Sequence, residues 1–549
     1  MNSSSNQPNA QPVHWADINA EKIVREKGSP QDRPHDHYTC ASGITPSGTV
    51  HIGNFREIIS VELVVRALRD RGYRARFIYS WDDYDVFRKV PSNVPNRKEL
   101  EQYLRMPITL VPDPAGVDES YARANERELE ALLDVVGVEP EYIYQADRYR
   151  SSRYAEGIRT ALERRNRIRE LLNEHRSEPL PEDWWPVSVF SGYTNKDTTT
   201  VLDWDGEWGL TYRCDETGNT ETVDLRSTAL VKLPWRIDWP MRWAYESVDF
   251  EPAGKDHHSE GGSFDTARGV VREIYEFAPP VTFQYDFLSI KGRGGKISSS
   301  SGEVIGLREV LEVYQPELVR YLFAGTRPNS EFAISFDLDV IKIYEDYDKC
   351  ERIYFGLEEV NEKRRAKEAR IYELSQVRGL PERVAPQLAF RHLCNQVQIT
   401  DGDIGKALEL ALGAETLAGL SEPERRRLER RAKCALFWVR RFAPEDYRFE
   451  LARFDTAPVV LEEKELSAVR GVAALIERRF DELNEKQLQQ ALYDLARELE
   501  LEPKTMFLAM YRVLIGKEKG PRLAGFLKTI GRARCLEILN QYRTEKGTA

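Results

Sequence analysis

Three short stretches of this sequence combine residue types that could do chemistry. In the first, Ser-Gly-Ile-Thr-Pro-Ser-Gly-Thr-Val-His-Ile-Gly-Asn-Phe-Arg-Glu over 42–57, the glycines Gly43, Gly48 and Gly53 punctuate a strand end, a turn and a helix start. Glycine lets a backbone turn tightly or lets a ligand come close, and the free N–H groups of a first helical turn face an anion. His51 and Asn54, three apart, share one face of that terminus. The second stretch, Lys-Gly-Arg-Gly-Gly-Lys-Ile-Ser-Ser-Ser-Ser-Gly over 291–302, is a cationic loop full of small hydroxyl donors. Together they describe a site for phosphates. The third, Trp-Asp-Asp-Tyr-Asp over 81–85, sets three acids at the end of a strand-like run; taken alone, it reads as a solvated turn ahead of a binding site.

The first stretch matches neither the dinucleotide fingerprint nor the P-loop. With the second, it resembles the pair of ATP-binding motifs of class I aminoacyl-tRNA synthetases. That family's His-Ile-Gly-His ends here in Asn54, and its Lys-Met-Ser-Lys-Ser appears as Lys-Ile-Ser-Ser-Ser over 296–300. The acids at 81–85, Trp-Arg-Ile-Asp-Trp-Pro-Met-Arg-Trp over 235–243 and Asp-Phe-Glu-Pro-Ala-Gly-Lys-Asp-His-His over 249–258 make the resemblance specific to the class I lysyl-tRNA synthetases. The resemblance implies lysine activation by ATP with Mg²⁺, through a lysyl-adenylate, and transfer to tRNA(Lys). It implies His51, Asn54 and Lys296 as catalytic residues, and Pro46, Gly48, Gly53, Gly254, Asp256, Ser298, Ser299 and Ser300 as contacts to ATP. A lysine slot would draw on Gly43, Thr45, Glu57, Asp82, Asp83, Trp235, His257 and Tyr285. A buried ammonium needs a carboxylate and its methylene stem prefers aromatic walls, so Glu57 is the candidate for the side-chain ammonium. The second lysine usual in the family's loop is replaced by Ser301, and either Lys291 or Arg293 supplies that charge or activation is slower than in relatives.

These residues need a scaffold. The expected fold is an α/β Rossmann-like catalytic domain with a parallel sheet and a small inserted β-rich domain, followed by an all-α C-terminal domain. Residues 1–12 read as disordered. The first half of the catalytic domain covers 13–177, with a proline- and asparagine-rich excursion over 90–120. Strands are expected over 74–79 and 141–145, and helices over 121–136 and through Ile158, Leu162, Arg165, Ile168 and Leu172. The inserted domain spans 178–228, and the second catalytic half spans 229–339, with a last strand over 282–290 feeding the lysine loop. Residues 340–549 read as helices, with an apolar stripe at Leu488, Leu492, Leu495 and Leu499. Basic clusters at 425–431 and 440–441 and the segment 517–522 interleave with Phe437, Trp438 and Phe442; a helix core explains the aromatics most cheaply, and the resemblance implies an anticodon-binding surface.

Metal is expected on ATP alone. Family members that bind zinc carry Cys-His after Pro-Asp-Pro-x-Gly, where this chain has Val117 and Asp118. In the insert, Ser188, Ser191, Cys214 and Thr217 occupy the positions of paired Cys-x-x-Cys turns, and hydroxyls are poor zinc ligands. No structural zinc is therefore expected, the insert being held by Trp204, Trp208 and Tyr212. Six scattered cysteines form no disulfide framework. The polar start and the absence of a long apolar run point to a cytoplasmic protein with no membrane contact, expected as a monomer. A net charge of −11 over 549 residues neither requires nor excludes RNA, since one basic face suffices. Two alternatives stay open: a glutamyl-type synthetase, which needs a cationic pocket, and an RNA-binding protein that has lost catalysis.

Overall fold

A computed structural model describes residues 13–32, 35–91, 94–291, 305–453 and 457–543. The expected disordered start, Arg293, Lys296, Ser298, Ser299, Ser300 and Ser301 lie outside these residues. The chain divides into two compact units, one of 1–311, 316–334 and 350–380, the other of 312–315, 335–349 and 381–549.

The first unit is built on a parallel sheet. Strands β1 (Tyr38–Ile44), β2 (Ala75–Trp81), β3 (Glu141–Tyr144) and β4 (Val248–Phe250) lie in the order β3-β2-β1-β4. β1 is apolar along most of its length, as a strand covered on both faces must be. The helix Ile52–Asp70 returns the chain from β1 to β2 and buries nearly its whole apolar face, including Phe55, Ile58, Val61, Val65 and Leu68. Chain order reverses between β1 and β4, and at such a switch point the loops leaving the strand ends diverge and open a crevice. The first motif stretch found in the sequence leaves from the end of β1.

The expected elements are present with local differences. The helix expected through Ile158 to Leu172 breaks at Arg164 into Ala155–Glu163 and Arg165–Asn173. The strand expected over 282–290 breaks into Gln284–Tyr285, paired with Ala253–Gly254, and Leu288–Ile290, paired with Phe332–Ile334. The cause of the second break is Arg56, whose buried guanidinium donates to the carbonyls of Asp286 and Phe287 (both 2.8 Å) and of Pro328 (2.8 Å) and Ser330 (2.6 Å). The excursion over 90–120 carries its own small core of Leu100, Ile108 and Val111 against Phe87 and Tyr121.

The insert is a three-stranded antiparallel sheet, Thr199–Trp204, Gly209–Cys214 and Thr220–Asp224. Tyr212 is buried, with its hydroxyl donating to Glu221 and accepting from Gly192 N (2.8 Å). Trp208 lies beneath the guanidinium of Arg159 (4.8 Å). The hydroxyls of Ser191 and Thr217 hydrogen-bond the Cys214 thiol and draw its pKa down to about 7. In the excursion, Asp113 accepts from the backbone N–H of Ala115, Val117 and Asp118 (3.1, 2.9 and 3.0 Å), so a carboxylate closes this turn from within.

The second unit is helical, and among the described residues it has no strand beyond 340. Leu488 and Leu492 from Glu485–Glu498 and Met510 and Leu514 from Pro503–Ile515 meet in one core. Trp438, on the helix Glu422–Arg441, is also buried, with its indole N–H on Phe336 O (2.9 Å), so this aromatic is core.

Candidate active site

The crevice is built from the end of β1 outward. Gly43 faces Ser80 across the β1–β2 pair, and a Cβ on Gly43 would fall 2.7 Å from Ser80 O. Thr45 follows, its hydroxyl donating to Asp85 (2.8 Å), and Pro46 is buried beneath the turn, its carbonyl 3.5 Å from Asn125 Nδ2. Gly48 approaches the Tyr121 hydroxyl. His51 caps the helix Ile52–Asp70, with Nδ1 accepting from Asn54 N (3.3 Å), which leaves the ring proton on Nε2 in the neutral form. Gly53 is required by this ring, because a Cβ would lie 2.9 Å from it. None of Gly43, Gly48 and Gly53 has a positive φ, so close approach, and not left-handed backbone, explains Gly43 and Gly53.

The flanks of the lysine loop reach the same helix start. Ile52 N donates to Ile305 O (3.0 Å), and His51 forms a bridge with Gly306. On the other flank Lys291 N donates to Ile334 O (3.0 Å), and Arg56 holds the strand break just before it. The first motif and the residues that follow the second, far apart in sequence, therefore meet at one helix terminus.

Each expected carboxylate has a partner. Asp82 is ion-paired with Arg242 (2.7 Å), which also reaches Asp238 (3.1 Å). Burial raises the Asp82 pKa against the pull of Arg242. Asp83 points elsewhere: Oδ1 accepts from Ala146 N (2.8 Å), and burial pushes its pKa up to about 8. Asp85 is raised by burial but held below its usual value by Lys232 (2.6 Å).

Glu57 is different. Oε1 accepts from Ser42 Oγ (2.7 Å) and Gly43 N (3.4 Å), and Oε2 accepts from the Tyr285 hydroxyl. All are neutral donors, so burial raises its pKa despite three hydrogen bonds. The i, i+4 spacing puts Trp235, Trp239 and Trp243 on one face of the helix Trp235–Tyr245, with the first two stacked at 4.8 Å. Trp235 is 38% exposed at the mouth, and His257 lies 5.9 Å from Trp239. Gly254 pairs with Tyr285, Asp256 follows on the exposed loop, and Trp235, Gly43 and Asp82 line one pocket at the sheet edge.

Sequence reasoning missed Arg56, Arg242 and Glu251. Glu251 follows β4 and lines that pocket, with Oε1 accepting from Trp239 Nε1 (3.1 Å) and Oε2 from Trp243 Nε1 (2.5 Å). The repeat of tryptophans every four residues was the available signal, since buried indole N–H groups need an acceptor.

Residues 13–378 match the family described as tRNA synthetases class I (K). The chain belongs to this family. Among curated relatives of this class I synthetase, lysine–tRNA ligase from Borreliella burgdorferi is 54% identical, covering 96% of this chain and 99% of its own. The enzyme of that name from Treponema pallidum is 53% identical over the same shares, and that from Pyrococcus horikoshii is 42% identical, again over 96% and 99%. Among the described residues, no helix of the synthetase is long and apolar enough to cross a membrane, and no group of three or more His, Cys, Asp or Glu side chains is placed to hold a metal ion.

Proposed function

We propose that this synthetase attaches L-lysine to tRNA(Lys) in the cytoplasm, in two steps. A lysine carboxylate oxygen attacks the α-phosphorus of ATP, the bond to the β-phosphate bridge oxygen breaks, and diphosphate leaves. A terminal ribose hydroxyl of the tRNA then attacks the carbonyl carbon of the lysyl-adenylate, the mixed anhydride breaks, and AMP leaves.

The observation that carries the reading is Glu57, a carboxylate at the switch point that among the described residues accepts from neutral donors only, one of them the Tyr285 hydroxyl. A buried carboxylate in this state gains most from an arriving cation. The same charge disfavours a glutamyl substrate. In this reading Gly43, Thr45, Trp235, His257 and Tyr285 form the lysine slot, with Asp82 at its edge. Asp83 acts at a distance by holding the helix start at Ala146.

His51 and Asn54 meet the phosphates at the helix terminus, beside Pro46, Gly48 and Gly53, while Gly254 and Asp256 face the ribose. Lys296, Ser298, Ser299 and Ser300 supply charge and donors from the loop. The first step is positioning and charge stabilisation, so no protein nucleophile is needed. Mg²⁺ would be held by the ATP phosphates rather than by protein side chains and would supply positive charge to the first step. The helical unit reads the anticodon, residues 178–228 act as the insert, and the Ser191–Cys214–Thr217 hydrogen bonds stand where a zinc would.

Lysine-dependent exchange of labelled diphosphate into ATP, with and without tRNA, tests the adenylate step. Exchange with lysine and none with glutamate is expected; EDTA abolishes it, and a zinc-selective chelator in excess Mg²⁺ leaves it intact. Exchange with glutamate, or none with any amino acid under either condition, would overturn the reading.

A further inference from the structure

Three acids line the pocket at the edge of the sheet: Asp82, Glu246 and Glu251. Two have cationic partners. Asp82 meets Arg242 (2.7 Å), and Glu246 meets Arg76 (2.9 Å) and Arg148 (3.4 Å). Glu251, buried at 8% exposure, is held by two indole N–H groups and is in no ion pair among the described residues. Arg242, on the same helix as those indoles, is turned to Asp82 and Asp238. A carboxylate offers about four acceptor sites, so about two on Glu251 remain unused by these donors. Burial, and then the neighbouring charge of Glu57, push its pKa up to about 7. Gly43 and Glu251 line the same pocket and Glu57 accepts from Gly43 N, so two carboxylates, neither in an ion pair among the described residues, flank the switch point, Glu57 bonded to β1 and Glu251 following β4.

We propose that Glu251 is a second specificity-determining carboxylate, which together with Glu57 receives the side-chain ammonium of the amino acid. The inference rests on the lysine reading above and assigns a residue that reading did not need. An ammonium has three donors and no acceptor, so one carboxylate already occupied by Ser42, Gly43 and Tyr285 does not saturate it. Glu251 brings free acceptor sites, and the indoles that hold it belong to the same row that walls the slot. Acceptor and apolar wall are therefore one unit, and a hydroxyl or amide side chain of similar length is refused because it leaves one of the two carboxylates uncompensated.

The test uses the full-length enzyme with Glu251→Gln, made alone and with Trp243→Phe. The second change removes the indole N–H that the new amide NH₂ would otherwise face. Lysine-dependent diphosphate exchange gives KM for lysine and ATP, and 6-hydroxynorleucine, which carries a hydroxyl in place of the ammonium, is titrated as inhibitor. The expected result is a lysine KM raised about 10- to 100-fold, with the ATP KM and the inhibition constant of 6-hydroxynorleucine unchanged within about 3-fold. A lysine KM that stays within about 3-fold, or equal weakening of lysine and its hydroxyl analogue, would make Glu251 an anchor for the indoles only and overturn the inference. Wild-type enzyme that shows no exchange with lysine would overturn the underlying reading as well, so the two failures are distinct.

Discussion

At the scale of single residues, the site separates its carboxylates by partner. Asp82 and Asp85 are balanced by Arg242 and Lys232, Asp83 meets a backbone N–H, and Glu57, among the described residues, meets neutral donors alone. The sequence showed the acids and placed them near the strand ends; it could not show which of them a distant cation would claim. Arg242 and Lys232 come from about 150 residues further along the chain, and nothing in local spacing marks that pairing. Asp83 gives a prediction with a definite sign. Its folded pKa is raised from 3.8 to about 8, so the folded state holds a proton that the unfolded chain has released. That contribution to stability is full below about pH 4 and is lost as pH rises through about 8. Asp83→Asn keeps the acceptor for Ala146 N and has no proton to lose. Its melting temperature relative to wild type should climb between pH 5 and pH 8.5, by the equivalent of a few kcal/mol. A difference that does not change with pH would refute the assignment.

At the scale of elements, the helix Ile52–Asp70 is the part on which both motifs depend. Its terminus presents His51 and Asn54, its first turn binds Ile305, and Arg56 fixes the strand break that leads into the lysine loop. The glycine pattern of the first motif was legible, and so was the helix that follows it. The reason for Gly53 was not, because the backbone there is ordinary and the constraint is the His51 ring folded across it. The broken strand over 284–290 was equally hidden, since its cause is an arginine on another element. Gly53→Ala separates these ideas. Alanine favours the helix, so the melting temperature should hold or rise, while the displaced ring should cut diphosphate exchange by at least about 10-fold. Unchanged exchange would mean that the ring position does not matter to the phosphates.

At the scale of the whole molecule, an acidic protein has to bind an acidic polymer. The net charge is −11, and the helix Glu422–Arg441 nonetheless exposes Arg426, Arg430, Arg440 and Arg441. Binding through such local cations releases counterions, so KM for tRNA should rise steeply between about 50 and 200 mM salt while KM for lysine changes little. A salt-independent tRNA KM would argue against a phosphate-contacting face. The class of fold was legible because βα alternation, a β-rich insertion and a long helical end follow one another in sequence. The helical unit is harder to read, because it also takes in 312–315 and 335–349, segments separated from the rest of it by 350–380. Linear composition carries no mark of that. The central claim is that Glu57 makes this fold a lysine enzyme. It is tested most directly by transfer of labelled lysine and glutamate to unfractionated tRNA, comparing wild type with Glu57→Gln at saturating ATP and Mg²⁺. The account predicts lysine charging without glutamate charging, and a lysine KM about 10- to 100-fold higher in the variant at unchanged ATP KM. Glutamate charging by the wild type, or an unchanged lysine KM in the variant, would contradict it.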